Sequence, residues 1–378
     1  RVNAQGLVEN VASNLPRINY EGFSYDANGD IIPNSGCGSL LLEPQSTNLI
    51  TQSELFSDSY WTKSGTSVVS GFASPDGGLN AFKLVEATNI GQHFIYKQLN
   101  TTTLSTYTAS IFAKVGENDF IILQDPFSSG NPRQWFDLNN GILGTGTNIS
   151  NASIIPFGNG FYKCTATWVV SSVNGGIGIN TSKLDNSNSY TGDGTSGVYI
   201  YGAMLEQNSF STSYIPTTQG AISTRLADIA TNSGNASLIN SEEGVLYAEI
   251  SALVDPVVFN NWLTITDGTS SNSVGIVFET TGTATARIEV GGVGQAYLNT
   301  SVDYSNLIKV AFKYKENDFA WWVNGIEVGT DSSGITFPLN TLNSLQFSYG
   351  AGSNNWLGKN KALAVYKTAL TDLELESI

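Results

Sequence analysis

The sequence has one histidine, His93, and two cysteines, Cys37 and Cys164, among 378 residues. A Ser-His-Asp or Cys-His catalytic arrangement can therefore form only around His93, and a zinc site would need more Cys and His ligands at regular spacing. The sequence also lacks a Gly-x-Ser-x-Gly nucleophile elbow and the paired carboxylates of a sandwich glycosidase strand. We therefore predict that the protein is not an enzyme.

Charged residues are few, and positive ones fewest. Lys and Arg total 17 against 32 Asp and Glu, so the formal net charge is -15. Such a chain repels phosphate backbones and anionic lipid surfaces, which argues against nucleic acid as a partner. No apolar run approaches the about 20 residues that a membrane helix needs, so we predict no membrane insertion.

The two cysteines lie far apart and do not define a disulfide scaffold. Cys164 alternates with apolar neighbours between Phe161 and Trp168. A small residue on the inner side of such a strand is typically buried, so a buried free thiol is expected there.

The composition is that of a β protein, with 39 Gly and many short apolar runs separated by Ser, Thr and Asn. The runs recur without helical periodicity, which indicates sandwiches or jelly rolls. Near the C-terminus, Thr371 followed by Glu374 is a capping-box pattern for a short helix. The predicted fold class is all-β: two β-sandwich (jelly-roll-like) domains, an irregular N-terminal connector and one short C-terminal helix.

Composition shifts divide the chain into four predicted parts. Residues 1–44 form a connector or oligomerisation segment, 45–226 the first sandwich, 227–240 a polar linker and 241–378 the second sandwich. Trp321 and Trp322 are adjacent on one predicted strand of the second sandwich, so one ring faces the core and the other faces outward. The residues that alternate with the two tryptophans along the strand assign Trp322 to the outer face.

The last part resembles a concanavalin A-like, laminin-G-type sandwich, over about the last 140 residues. The likeness lies in an ordered set of pieces: Leu307 to Tyr314, Trp322-Val323-Asn324-Gly325-Ile326-Glu327-Val328, Leu345 to Ser348, Lys361 to Tyr366 and Ala369-Leu370-Thr371-Asp372. The Asn-Gly pair independently predicts a tight hairpin turn.

The part before it resembles modules of bacteriophage tail-fibre and head-spike proteins, which are similar to carbohydrate-binding jelly rolls. The residues concerned are Leu40 to Ile50, Ser53-Glu54-Leu55-Phe56, Tyr60-Trp61-Thr62-Lys63, Gly158 to Lys163, Gly202 to Glu206 and Ser213 to Thr217. Ser46 stands where members of that family often have Arg. The resemblance implies adhesion or particle structure, a location outside the cell or on a virion or phage-like particle, and a homo-oligomer, with a trimer favoured.

Sugar recognition in sandwiches uses exposed aromatic rings with planar polar groups beside them. The glycan-binding candidates are Trp322 and the loop residues Tyr190, Asn354, Asn355 and Trp356. No cofactor is predicted. Calcium remains open, with Asp185 and Asp193 as weak candidate ligands, although their spacing is not that of a calcium hand.

The sequence thus favours a non-catalytic fibre or adhesin protein whose partner is a host cell-surface polysaccharide or a protein receptor. Two alternatives remain. One is a purely structural fibre or spike segment. The other is a polysaccharide lyase using His93 and Tyr96, although strand alternation places Tyr96, with Gln92 and Phe94, on the face opposite His93 and Ile95.

Overall fold

The computed structural model describes residues 1–12, 14–25, 31–34, 36–217, 220–253, 261–279, 282–350 and 352–378. It has two compact units. The first comprises Arg1–Gly38 and Gln45–Leu226, and the second comprises Ser39–Pro44 and Ala227–Ile378.

Strands up to Arg225 are, in chain order, β1 (Ile18–Asn19), β2 (Phe23–Tyr25), β3 (Ile31–Pro33), β4 (Ser39–Leu42), β5 (Ser46–Asn48), β6 (Thr62–Ser64), β7 (Thr66–Phe72), β8 (Ala81–Glu86), β9 (Ile90–Gly91), β10 (His93–Gln98), β11 (Thr106–Lys114), β12 (Phe120–Gln124), β13 (Arg133–Asp137), β14 (Ile142–Thr147), β15 (Asn151–Pro156), β16 (Tyr162–Val169), β17 (Gly176–Ser182), β18 (Tyr190–Thr191), β19 (Gly197–Glu206) and β20 (Ser223–Arg225). A 3-10 turn spans Gly158–Gly160.

The remaining strands are β21 (Glu243–Ala252), β22 (Asn261–Thr266), β23 (Ser273–Phe278), β24 (Thr283–Val290), β25 (Val293–Ser301), β26 (Ile308–Lys315), β27 (Phe319–Val323), β28 (Ile326–Asp331), β29 (Ser344–Gln346) and β30 (Gly358–Tyr366). Helix α1 covers Asp372–Ser377. The predicted all-β sandwich fold with one short C-terminal helix is confirmed for the described part of the chain.

The first unit is a sandwich of two antiparallel six-stranded sheets. The front sheet has the order β14-β13-β12-β17-β10-β6, and the back sheet has the order β15-β16-β11-β19-β8-β7. Inward side chains of both sheets form one core, which includes Ile121, Ile179, Ile111 and Cys164. Cys164 is a free thiol with no exposed surface, as predicted, and burial raises its pKa.

The outer face of the back sheet is covered by the N-terminal segment. Val8 packs on a cluster of Ala81, Phe112, Phe161 and Tyr201 on that face. Two backbone bonds hold the segment there, from the Val8 amide to the Pro75 carbonyl at 2.8 Å and from the Gly158 amide to the Gly6 carbonyl at 2.8 Å. The N-terminal segment thus packs on the outer face of the back sheet, where partly buried rings such as Tyr199 join the same cluster.

The second unit is also a sandwich, with a five-stranded sheet in the order β25-β24-β23-β22-β29 and a larger sheet whose strands in this unit run β4-β30-β21-β26-β27-β28. Leu263, Ile276 and Ile288 of the smaller sheet meet Leu246, Phe312 and Trp321 of the larger one in a single core. At the predicted hairpin, Asn324 and Gly325 both have positive φ, 51° and 73°, between β27 and β28. That confirms the tight turn expected from the Asn-Gly pair.

Helix α1 packs on the outer face of the larger sheet. Thr371 Oγ1 accepts the Glu374 amide and the Glu374 carboxylate accepts the Thr371 amide, which completes the predicted capping box. Leu375, 1% exposed, is the buried residue of the helix and joins a cluster with Val245, Tyr247 and Trp322. In the described part of the chain, no helix combines the length and apolarity needed to cross a bilayer.

Candidate functional site

The candidate site lies on the outer face of the front sheet of the first unit. In β10, His93 and Ile95 are fully buried on the inner side, whereas Phe94 and Tyr96 point outward and are half-buried. The alternation follows from the two-residue period of a strand. It confirms the predicted separation of Tyr96 from His93.

Strand register places the outward residues in two parallel rows. Pairing across the sheet gives one row of Trp135, Ile122, Asn180, Phe94 and Ser64. The neighbouring row consists of Arg133, Gln124, Gly178, Tyr96 and Thr62. The rows therefore bring aromatic rings from β10, amide side chains from β12 and β17, and an indole with a guanidinium from β13 onto one surface.

The aromatic part of the surface is a strip of three rings. Phe94 and Tyr96 stack at 5.1 Å between ring centroids with 27° between their planes. The ring of Phe127, from the loop after β12, meets Tyr96 edge-on at 5.8 Å. All three side chains are half-buried. A pyranose can lay its C–H face on such rings, which offer apolar area at little cost in side-chain entropy.

The amide part consists of Asn180, which has no exposed surface, and Gln124, which is 1% exposed. Asn180 donates through Nδ2 to Gln92 Oε1 at 3.2 Å. The other amide oxygens, Asn180 Oδ1 and Gln124 Oε1, have no hydrogen-bond partner among the described residues. Leaving a buried acceptor unpaired costs about 1–3 kcal/mol. A ligand that brings hydroxyl donors would satisfy both acceptors once the side chains that enclose them move aside.

Gly178 lies between the amides and the rings. It is paired with Gln124 on one side and Tyr96 on the other. A Cβ at this position would lie 3.0 Å from Gln124 Cγ and 3.2 Å from Gln124 Nε2. The glycine therefore makes a depression into which the Gln124 side chain extends, with the aromatic strip as its opposite wall.

One end of the surface is formed by Trp135, which is 1% exposed and lies under the half-buried Arg133 with the guanidinium 5.4 Å from the ring centroid. Trp135 Nε1 donates to the Ser187 carbonyl at 3.4 Å. Asp185, from the same loop, accepts bonds at 2.8 Å from both the amide and the hydroxyl of Thr145. These contacts tie the loop of the predicted calcium candidate to the edge of the sheet.

The structure does not bring the sequence-predicted residues together at this face. The expected exposure of Trp322 is wrong: Trp322 does point to the outer face of its sheet, but helix α1 covers that face and the residue is 7% exposed. Trp356 lies outside the strands as predicted, yet it is fully buried, with its ring 4.9 Å from Phe278 in the core of the second unit. Asn354 beside it is exposed and Asn355 is half-buried.

Tyr190 is half-buried at one end of the first unit. Its ring lies 4.7 Å from His93, and its hydroxyl donates to the Thr181 carbonyl at 3.3 Å. Burial and the nearby Glu86 raise the pKa of Tyr190, so the phenol stays protonated. His93 is itself enclosed, with Nδ1 2.5 Å from the Gly65 carbonyl and Nε2 3.2 Å from the Tyr190 carbonyl.

Glu86 connects several residues at this end of the unit. It was not predicted from the sequence. Its carboxylate accepts Asn118 Nδ2 at 2.8 Å and the Asp193 amide at 2.9 Å, and it pairs with Lys183 Nζ at 2.9 Å. Burial acts to raise the pKa of Glu86, but the bonds from Lys183, Asn118 and the Asp193 amide outweigh burial and lower it.

Asp193 closes its own turn, with Oδ1 accepting the Thr195 and Ser196 amides at 2.8 and 2.7 Å. The Ser196 hydroxyl is the largest of the bonds that lower the pKa of Asp193. In the described part of the chain, Asp185 and Asp193 belong to no group of three or more His, Cys, Asp or Glu residues that could hold a metal.

No protein-family model and no curated protein matches the chain. Among solved structures, it is similar to the Ruminococcus gnavus IT-sialidase CBM40 bound to alpha2,3 sialyllactose, at 17% identity and a TM-score of 0.33, covering 39% of this chain and 93% of that one. It is also similar to the heptameric SAP-like pentraxin of Limulus polyphemus (13%, TM-score 0.31, covering 39% and 72%) and to domains LG4-5 of the mouse laminin alpha1 chain (9%, TM-score 0.28, covering 81% and 92%). Values this low carry no inference about function.

Proposed function

We propose that this protein is a non-catalytic adhesin that binds a surface glycan on the front sheet of its first unit. The observation that carries the proposal is the pair of buried amide oxygens, Asn180 Oδ1 and Gln124 Oε1, which lack a partner among the described residues and lie next to the ring strip of Phe94, Tyr96 and Phe127. A sugar supplies what both halves need, an apolar C–H face for the rings and a rim of hydroxyls for the amides.

The low charge of the site favours neutral ligands over polyanions. Asn180, Gln124 and Gln92 are neutral, and Arg133 is the one cation in the two outward rows. It is paired with Gln124 across the strands, and its guanidinium lies over the Trp135 ring. Neutral hexoses of a cell-surface polysaccharide therefore match this surface better than polyanions do.

A glycan array tests the proposal directly. The intact protein is expected to bind a defined set of neutral glycans, and Tyr96→Ala and Asn180→Ala are expected to lose that binding. Tyr199→Ala is the matched control, because Tyr199 is an equally half-buried tyrosine that packs against the back-sheet cluster. Binding that survives both front-sheet variants would overturn the site. An array with no hit would favour a purely structural fibre or spike segment.

The setting that we propose is the tail fibre or spike of a phage or phage-like particle, outside the host cell, with the chain assembled as a homotrimer. The support is the sequence resemblance of Leu40 to Ile50 and the pieces after it to fibre modules. Light scattering at several concentrations tests the oligomer. A stable trimer is expected, and a monomer at micromolar concentration would contradict the trimer without affecting the glycan site.

A further inference from the structure

The five-stranded sheet of the second unit presents another polar and aromatic face. Leu263, Ile276 and Ile288 of β22, β23 and β24 lie in the core, so the residues alternating with them point to the opposite side. Register aligns Gln346, Thr264, Gly275, Arg287 and Tyr297 in one row across all five strands. The other sheet of this unit is covered on its outer side by α1, whose Leu375 packs there.

Trp262 is the base of this face. Its indole lies over Gly275, where a Cβ would come within 3.3 Å of the indole Cζ3. Tyr349 packs against the indole in a tilted arrangement, with 4.3 Å between ring centroids and 37° between planes, and the Arg287 guanidinium lies 5.4 Å from the indole ring centroid. Arg287 is thus held in place by an aromatic surface, and its side chain is 29% exposed.

One carboxylate pairs with the arginine, and a second is bonded to its cross-strand neighbour Tyr297. Glu289 pairs with Arg287 Nη2 and accepts the Tyr349 hydroxyl at 3.2 Å. Glu279 Oε1 accepts the hydroxyls of Tyr297 at 2.7 Å and Thr285 at 3.1 Å. Tyr297 is 53% exposed, so this second acid network reaches the surface.

Three buried polar atoms of residues at or next to this face have no partner among the described residues: Trp262 Nε1, Ser273 Oγ and Asn355 Oδ1. Ser273 is 1% exposed and lies directly across from Glu289 in the sheet. The backbone of Asn355 forms a bridge with Trp262. As on the front sheet of the first unit, unpaired polar atoms gather beside aromatic rings.

Arg287 is the single Lys or Arg from Ala227 to Leu307, and β29 has none. In a chain with a net charge of -15, this guanidinium is the group of the face that attracts an anion. Its planar fork suits a carboxylate, and a guanidinium has five N–H donors, of which the bond to Glu289 takes one. The two glutamates oppose a polyanion but accept sugar hydroxyls.

We propose that this face is a second saccharide site, which takes a sugar that carries a carboxylate, with Arg287 pairing with that carboxylate. This site is in addition to the neutral-glycan site of the first unit. Each of the two proposals can be correct without the other. A uronic acid and a nonulosonic acid both supply the shared chemistry, and their different carboxylate positions allow an experiment to distinguish them.

Saturation-transfer NMR and titration of the full chain test the site with three probes: methyl glucuronide, its carboxylate-free match methyl glucoside, and N-acetylneuraminic acid. At least one of the two acids is expected to bind about tenfold more tightly than methyl glucoside, and added salt is expected to weaken the binding. Which acid binds identifies the class of sugar. Equal binding of glucuronide and glucoside with no binding of N-acetylneuraminic acid, or no binding of either acid, would overturn the proposal.

Variants locate the binding. Arg287→Gln is expected to weaken acid binding about tenfold or more, Arg287→Lys by less, and Tyr297→Phe, at an exposed position that keeps the fold, by a few fold. Lys361→Gln is the matched control, because Lys361 pairs with Glu249 on the larger sheet. Acid binding that persists in Arg287→Gln would contradict the assignment. Acid binding retained in Tyr96→Ala separates this site from the one in the first unit.

Discussion

Gly178 and Gln124 are paired across β17 and β12, and the missing Cβ of the glycine is what gives the glutamine side chain its place on the front sheet. With a side chain at 178, the Gln124 Cγ would have a neighbour at 3.0 Å and would have to move. The position of one of the two unpartnered amide oxygens thus depends on a residue that contributes no functional group.

Gly178→Ala should therefore impair glycan binding more than folding. Displacing the Gln124 amide is expected to lower affinity about tenfold, whereas relaxation of this flexible side chain should keep the loss of stability to about 1 kcal/mol. Titration with a glycan from the array, together with urea unfolding, measures both. Gly294→Ala in β25, where a new Cβ has no neighbour within 4 Å, is the control and should change neither. Unchanged affinity in Gly178→Ala would count against a role for Gln124.

The buried carboxylate of Glu86, paired with the partly exposed Lys183, should make the first unit sensitive to acid. The pKa of Glu86 is lowered in the folded state, so its contribution to stability is present above the ordinary glutamate pKa of 4.5 and is lost as pH falls through the folded-state value. Glu86→Gln should lower the free energy of unfolding by about 2 kcal/mol at neutral pH.

The difference between Glu86→Gln and the unchanged protein should shrink as pH falls from 4.5 through the lower folded-state pKa of Glu86. Over this range the carboxyl binds a proton more readily in the unfolded chain than in the native protein. Urea unfolding at a series of pH values measures this. Glu117→Gln is the control, since its salt bridge to Lys83 is half-exposed and worth less than about 1 kcal/mol. A stability difference that is the same at all pH values would contradict the assigned role of the Glu86 charge.

Two leucines of α1 form a matched pair for the C-terminal cluster. Leu375 is 1% exposed against Val245 and Trp322, whereas Leu373 is 77% exposed. Leu375→Ala should cost about 2–5 kcal/mol and Leu373→Ala no more than about 0.5 kcal/mol, measured by thermal or urea unfolding. Equal effects would show that the helix does not hold its place on the sheet in solution.

Lyase activity should be missing. His93 has no exposed surface, and Tyr96 points to the other side of β10. Incubation with alginate, hyaluronan and polygalacturonate is expected to release no unsaturated product, followed by its ultraviolet absorbance. Product formation that disappears in His93→Ala would establish a lyase and refute the non-catalytic proposal.

Much of the fold was predictable from local patterns. The capping box at Thr371 and Glu374, the Asn324-Gly325 turn and the buried Cys164 are set by neighbours in sequence, and the structure confirms each. The exposure of Trp322 was not predictable in this way, because it depends on where a helix about fifty residues later packs.

The candidate site was also predictable only where it depends on local sequence. Alternation along β10 was enough to place Phe94 and Tyr96 opposite His93. Asn180 and Gln124 come beside them only through pairing of β17 with β10 and β12, which joins segments more than fifty residues apart. Short polar residues inside strands were the available signal, but only the register shows which of them share a face.

The central claim is that a glycan binds on the front sheet, and backbone hydrogen–deuterium exchange with and without a glycan from the array tests it most directly. We predict slower exchange in His93–Gln98, Phe120–Gln124 and Gly176–Ser182, the strands that carry the rings and the amides, and that the slowing vanishes in Asn180→Ala. Protection confined to the Asn354 loop or to the back sheet, with these three strands unchanged, would contradict the account.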